Sequence, residues 1–286
     1  LNMGDTTDRY GDSGGKLYGD IYHESYRIES LYDVDADSGV ITYLPSQVRI
    51  SALGEEKVHT GVNKIVAFGG KGNDSLFVGQ GVDALLDFDG GEGNDTFIIL
   101  GGASGSTILG GKGNDSFVSG DVNGLSYLGG TGNDNYRGGT GSASINMGTG
   151  KNTIIAGSGN DNIRVEGSVI TELTLTGGDN LITADLAGLL DIKGGSGYDR
   201  VVLDNIASTD ALQLKDSAFI YKDRQISFNN ELDTVEVTDS SSATIMRSDT
   251  GYSWKATGLK LTASGLLDVT DAEFIAPTGY FNIKTA

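Results

Sequence analysis

The chain has 286 residues, 37% of them hydrophobic, with 20 basic against 39 acidic residues and a net charge of −19. That balance argues against nucleic acid, whose binding needs a basic surface, and favours cations; the absence of cysteine excludes disulfides and thiolate metal sites. No apolar run of about 18 residues is present to span a membrane as a helix, and the hydrophobic fraction lies under the roughly 45–50% of an ordinary globular domain, so a thin core stacked along an axis suits it better than one thick core.

Glycine at 45 and proline at 2, with no every-third-glycine period, point to turns needing positive φ rather than to collagen. No signal peptide is visible at the start, and a chain beginning at Leu1 is expected of a fragment or processed product.

Residues 1–68 are polar and tyrosine-rich (Tyr10, Tyr18, Tyr22, Tyr26, Tyr32 and Tyr43). Val40–Leu44 and Gln47–Ser51 predict short strands, and Lys57–Phe68 brings in β-branched Val62, Ile65 and Val66. The region is expected to be a β-rich N-terminal cap. Gly11-Asp12-Ser13-Gly14-Gly15 matches the sequence around the nucleophile of chymotrypsin-like proteases. Both histidines come after Ser13, however, and no strand–turn–helix pattern surrounds it, so a flexible turn is expected. His23 and His59 lack spaced partners and are expected as surface or cap residues. Asp33, Asp35 and Asp37 have the 1, 3, 5 spacing of an EF-hand loop, but Ser38 replaces its glycine and Leu44 its closing glutamate. An extra calcium site and a solvated acidic turn both stay open there.

Residues 69–203 carry a repeat. Gly69–Asp74, Gly90–Asp95, Gly110–Asp115 and Gly129–Asp134 are near-identical glycine-glycine-x-glycine-asparagine-aspartate turns, and Met147–Asn152 is a degenerate fifth. The gaps between starts at 69, 90, 110, 129 and 147 are 21, 20, 19 and 18 residues. An apolar residue follows two positions after each aspartate: Leu76, Phe97, Phe117 and Tyr136. Strand alternation turns that column inward. Weaker half-coil turns fall near 79–81, 101–102, 120–121 and 138–139. From Ala156–Asp161 the sharp turns move to that half-coil position, through Thr176–Asp179 to Gly194–Asp199. Two cation columns on opposite edges are therefore expected, one early and one late.

Residues 204–286 lose the repeat and alternate in short β-like runs: Gln225–Phe228, Thr234–Thr238, Ala243–Met246 and Leu259–Thr262. They predict a C-terminal β cap, since the end units of a solenoid must cover its open core. Trp254 and the N-terminal tyrosines could stack on a sugar or pack the caps.

Calcium takes roughly six to eight oxygens at about 2.3–2.6 Å. Glycines can turn backbone carbonyls inward, and the aspartate adds a carboxylate. One turn offers half a shell, and the turn one coil along offers the rest, so each ion staples two coils.

The repeat resembles the repeats-in-toxin (RTX) family of secreted bacterial proteins, over just under half of the chain. The resemblance implies an all-β, right-handed parallel β-roll or β-solenoid with roughly four to six calcium ions. The residues it marks for the metal are Gly70, Gly72 and Asp74; Gly91, Gly93 and Asp95; Gly111, Gly113 and Asp115; Gly130, Gly132 and Asp134; Gly157, Gly159 and Asp161; Asp179; and Gly195, Gly197 and Asp199. The gaps above 18 depart from the family and predict wider turns or bulges. An extracellular or cell-surface location, type I secretion and folding on calcium follow from the same resemblance. The expected role is a non-enzymatic segment of an adhesin or surface-layer protein, which could meet a cell-surface glycan or assemble with itself. An accessory or secretion domain of a toxin or enzyme, or a carbohydrate-binding module, are the alternatives.

Overall fold

The structure is a computed structural model. It describes residues 2–3, 23, 25–52, 55–166, 170–185 and 189–204, and beyond them the backbone of short strands between 211 and 268. The fold is all-β, with no helix among the described residues, and its stacked parallel strands make about seven turns of a β-solenoid. The chain divides into two compact units, Leu1–Ser144 and Ile145–Ala286. That division falls inside the repeat.

The first unit begins with β1 (Asn2–Met3). A hairpin sheet follows, of β2 (Ser25–Val34), β3 (Ile41–Ala52) and β4 (Glu55–Thr60), paired antiparallel. The two strands expected at 40–51 are one strand, β3. The coils then alternate between two sheets. One carries β5 (Lys64–Phe68), β7 (Leu85–Glu92), β9 (Thr107–Lys112) and β11 (Leu125–Thr131). The other carries β6 (Ser75–Val78), β8 (Thr96–Ile99), β10 (Ser116–Ser119) and β12 (Asn135–Arg137). β2 pairs parallel with β6, so the hairpin sheet is the first rung of the second sheet. The edge strand β4 carries Glu56 and Lys57, charges that discourage edge-to-edge pairing.

Period-2 alternation builds the core of this unit. Tyr26, Leu76, Phe97, Phe117 and Tyr136 stand in one register column and are all buried. Opposite them run Ala67, Phe88, Ile108 and Tyr127. Phe117 stacks on Tyr127 at 4.4 Å and on Tyr136 at 5.1 Å between ring centroids. A fully buried side chain of this size contributes about 1.5–3 kcal/mol. Every strand after a glycine turn starts directly after the aspartate. The extra residues of the long coils therefore sit in the half-coil turns and the strands that lead on from them.

After β13 (Ala143–Asn146) the second unit has the same plan. β14 (Lys151–Ile155), β16 (Ile170–Thr174) and β18 (Leu189–Lys193) stack in one sheet, with Ile154, Leu173 and Ile192 in a buried column. β15 (Asn162–Val165), β17 (Asn180–Asp185) and β19 (Asp199–Asp204) stack in the other, with Ile163, Ile182 and Val201 inward. Parallel stacking continues past residue 203. β19 pairs with Thr234–Val237, and that strand pairs with Gly258–Leu261. Trp254, the Gly11–Gly15 motif and Tyr10, Tyr18 and Tyr22 lie outside the described residues.

Candidate metal centre

In the first unit all four glycine turns join the β5-β7-β9-β11 sheet to the β6-β8-β10-β12 sheet, so they stack on one edge. The glycines at the second and fourth positions of each turn have positive φ, as at Gly91 (96°) and Gly93 (137°). A Cβ on Gly93 would lie 1.5 Å from the Gly72 carbonyl oxygen, so only glycine fits there. The parallel ladder runs on through the turns: Glu92 N–H donates to Gly70 O at 2.7 Å, and Gly72 N–H donates to Glu92 O at 2.8 Å. The carbonyl of the second glycine is thus engaged by the next coil. On the outside, Lys112 Nζ meets Glu92 Oε1 at 2.7 Å, an exposed cross-strand pair.

Two side-chain ladders of opposite polarity run along this edge. Asp74 N–H donates to Asp95 Oδ1 at 2.7 Å, Asp95 N–H to Asp115 Oδ1 at 2.8 Å and Asp115 N–H to Asp134 Oδ1 at 2.9 Å. The outer ladder points the other way. Asn94 N–H donates to Asn73 Oδ1 at 2.8 Å, Asn114 N–H to Asn94 Oδ1 at 2.7 Å and Asn133 N–H to Asn114 Oδ1 at 2.7 Å. At its first rung Asn73 N–H donates to His23 Nδ1 at 2.8 Å, so His23 stands where an earlier coil would offer an asparagine oxygen.

The four aspartates are buried, with exposures between 1% and 7%. On Asp95, Asp115 and Asp134 the ladder occupies Oδ1, and the other oxygen, Oδ2, is buried beside it. For Asp95 and Asp115 this oxygen has no hydrogen-bond partner among the described residues. A Cβ built on Gly69 would lie 2.4 Å from Asp74 Oδ2 and 2.5 Å from Gly90 O. At Gly90 the corresponding neighbours are Asp95 Oδ2 at 2.3 Å and Gly110 O at 2.6 Å; at Gly110 they are Asp115 Oδ2 at 2.4 Å and Gly129 O at 2.6 Å. At three successive levels a carboxylate oxygen and the next coil's first-glycine carbonyl thus converge on a cradle kept open by a missing side chain.

Burial pushes the Asp95 carboxyl up to about 7; the Asp74 N–H bond opposes this, and Asp115, Asp74 and Asp89 add repulsion. Burial likewise raises Asp115 and Asp134 to about 6. The Tyr127 hydroxyl is raised by burial and then by the fields of Asp134, Asp115 and Asp95, which places it close behind the column. The donor set is oxygen only, negatively charged and desolvated, and suits a hard divalent cation.

In the second unit the turns 156–161, 175–180 and 194–199 stack in one column, because Asp161, Asn180 and Asp199 share register. Asp179 falls one position short of the buried column. It lies in the outer ladder, donating its N–H to Asn160 Oδ1 at 2.8 Å and accepting Tyr198 N–H at 2.8 Å. Asn180 takes the inner place instead, buried, with its Nδ2 donating to Gly177 O, Gly178 O and Asp199 Oδ1. Gly157 O accepts Gly177 N–H at 3.1 Å and the Thr176 hydroxyl. Gly197, like Gly91, has positive φ (112°) and faces the carbonyl of the coil before it. The turn at 147–152 lies at the other edge of this unit, joining Ala143–Asn146 to β14.

Asp33 lies in β2 opposite Thr42, and Asp35 and Asp37 in the hairpin turn. Asp35 Oδ1 accepts Ser38 Oγ–H and the N–H groups of Asp37 and Ser38, and these bonds hold its carboxyl below the usual range. No group of three or more acidic, histidine or cysteine side chains placed to hold a metal occurs among the described residues, so backbone oxygens must complete any shell. The first-glycine carbonyls of Gly90, Gly110 and Gly129 are the oxygens beside the aspartates that sequence reasoning did not mark. Their signal was a glycine at the first position of each turn, one that no positive φ requires.

No family model matches the chain, and no curated protein or solved structure matches it either. No described helix is long and apolar enough to cross a membrane.

Proposed function

We propose that the chain is a non-enzymatic, calcium-stapled β-solenoid segment of a secreted or cell-surface bacterial protein, of adhesin or surface-layer type, which folds on meeting calcium outside the cell. One observation carries this reading. Asp74, Asp95, Asp115 and Asp134 form a buried carboxylate ladder, and in it the Asp95 and Asp115 Oδ2 atoms face carbonyl oxygens instead of donors. Two partial negative charges aimed at one cradle are unfavourable until a cation enters between them.

Asp74 with Gly90 O, Asp95 with Gly110 O, and Asp115 with Gly129 O would hold one ion at each level. The bound ion supplies positive charge that binds two coils together. The protein's own part is to preset the oxygens through the Oδ1 ladder and to exclude side chains from the cradle. Calcium at 100-fold over its dissociation constant stabilises by about 2.7 kcal/mol per site. Three such levels reach about 8 kcal/mol, within the roughly 5–15 kcal/mol that holds a domain folded. The net charge of −19 agrees with a calcium-rich setting.

Calorimetric calcium titration with parallel circular dichroism tests the reading. Calcium should bind at several sites and raise the β signal of chelated protein. Identical spectra with and without calcium, and no heat of binding, would refute it.

A further inference from the structure

We infer that Asn180 is a built-in substitute for the cation, so that the turns from 175 to 199 close without metal while those from 69 to 134 require it. This rests on the calcium reading of the aspartate ladder and adds to it which levels take no ion.

Asn180 stands in register between Asp161 and Asp199. Its Oδ1 keeps the ladder, accepting Asp161 N–H at 2.9 Å as an aspartate Oδ1 would. The second terminal atom differs. Where Asp95 and Asp115 present an oxygen, Asn180 presents an NH₂ group. Its two N–H groups are shared among Gly177 O at 3.0 Å, Gly178 O at 3.2 Å and Asp199 Oδ1 at 2.8 Å. It thus gathers two turn carbonyls and the next coil's carboxylate, which is a cation's task, using the positive end of an N–H dipole. Asp199 Oδ2 in turn accepts Gly195 N–H at 3.1 Å, so both oxygens of this buried carboxylate have donors. Asp95 and Asp115 have a donor on Oδ1 only.

Asn152 repeats the device more loosely. It is buried at the aspartate position of the 147–152 turn, and its Nδ2 lies 3.3 Å from Met147 O and 3.5 Å from Gly148 O. An amide at the sixth turn position therefore closes a level by hydrogen bonding, and a carboxylate leaves it to an ion.

Hydrogen exchange read by mass spectrometry on the full chain, in saturating calcium and in chelator, tests this. For the native sequence, peptides across 69–134 should lose about 100-fold in protection on chelation, the factor expected for one site saturated 100-fold over its dissociation constant. Peptides across 175–199 should keep theirs. Asn180→Asp should make 175–199 calcium-dependent. Asn180→Ala should weaken that segment with no rescue by calcium, because it restores neither donor nor ligand. Equal loss in both segments of the native chain would overturn the inference and leave the calcium reading standing, as would an Asn180→Asp segment indifferent to calcium. No change in any peptide, with no calcium bound, would overturn both. The native comparison decides the matter even if a variant does not fold.

Discussion

Without a bound cation, the aspartate ladder should be a pH-dependent weakness. Burial lifts Asp95 from 3.8 to about 7, and Asp115 and Asp134 from 3.8 to about 6. Each of these carboxyls binds its proton more tightly in the folded chain than in the unfolded one. Its contribution is therefore fully present below about pH 4 and is lost as pH rises through 6 to 7. At about 1.36 kcal/mol per pH unit, the Asp95 shift is worth about 4 kcal/mol and the other two about 3 each. Solvent at the turn edge screens these charges, and halving the sum leaves about 5 kcal/mol. That is comparable to the whole stability of a small domain. Urea unfolding in chelator, followed by circular dichroism, should give a midpoint that falls steeply between about pH 4 and pH 7. Saturating calcium should remove most of that slope, and Asp95→Asn should remove the part of it near pH 7. Chelated protein whose stability is flat or rises over that range would refute the reasoning.

Three smaller perturbations examine the scaffold around the ladder. Gly93→Ala places a Cβ 1.5 Å from Gly72 O at φ 137°, and should cost about 3 kcal/mol or more in urea unfolding with calcium present. Phe117→Ala removes the ring between Tyr127 and Tyr136 and should cost about 3–5 kcal/mol by the same assay. Tyr127→Phe deletes a buried hydroxyl that has no hydrogen-bond partner among the described residues, and should leave stability unchanged or raise it by about 1 kcal/mol.

The fold class was legible because two periods are written in the residues. The glycine turns recur about every twenty residues, and Leu76, Phe97, Phe117 and Tyr136 each fall two positions past an aspartate. A period-2 strand placed after a fixed turn has only one way to bury that column. The tyrosines of the N-terminal region were harder to place by type alone. Tyr26 is buried in the core column, whereas Tyr32 and Tyr43 are exposed on the hairpin, with Tyr43 against Gly81.

Legibility failed where one residue of register decides chemistry. Thr176-Gly177-Gly178-Asp179 looks in sequence like a turn ending on its aspartate, but pairing of β17 with β15 and β19 carries Asn180 into the buried column and leaves Asp179 on the outer ladder. Composition cannot reveal that shift, because aspartate and asparagine both tolerate the turn and both can serve the ladder.

By itself, then, the sequence determined the all-β solenoid, its inward column and the edge on which oxygen donors gather, since these follow from local turn geometry and strand alternation. The tertiary structure alone decided which oxygen of Asp95 and of Asp115 accepts the preceding coil's N–H and which faces a carbonyl. It alone decided, too, that Asn180 brings a donor where Asp95 brings a charge. Those facts depend on residues about twenty positions apart meeting across one strand spacing, and only the stacked backbone sets that distance.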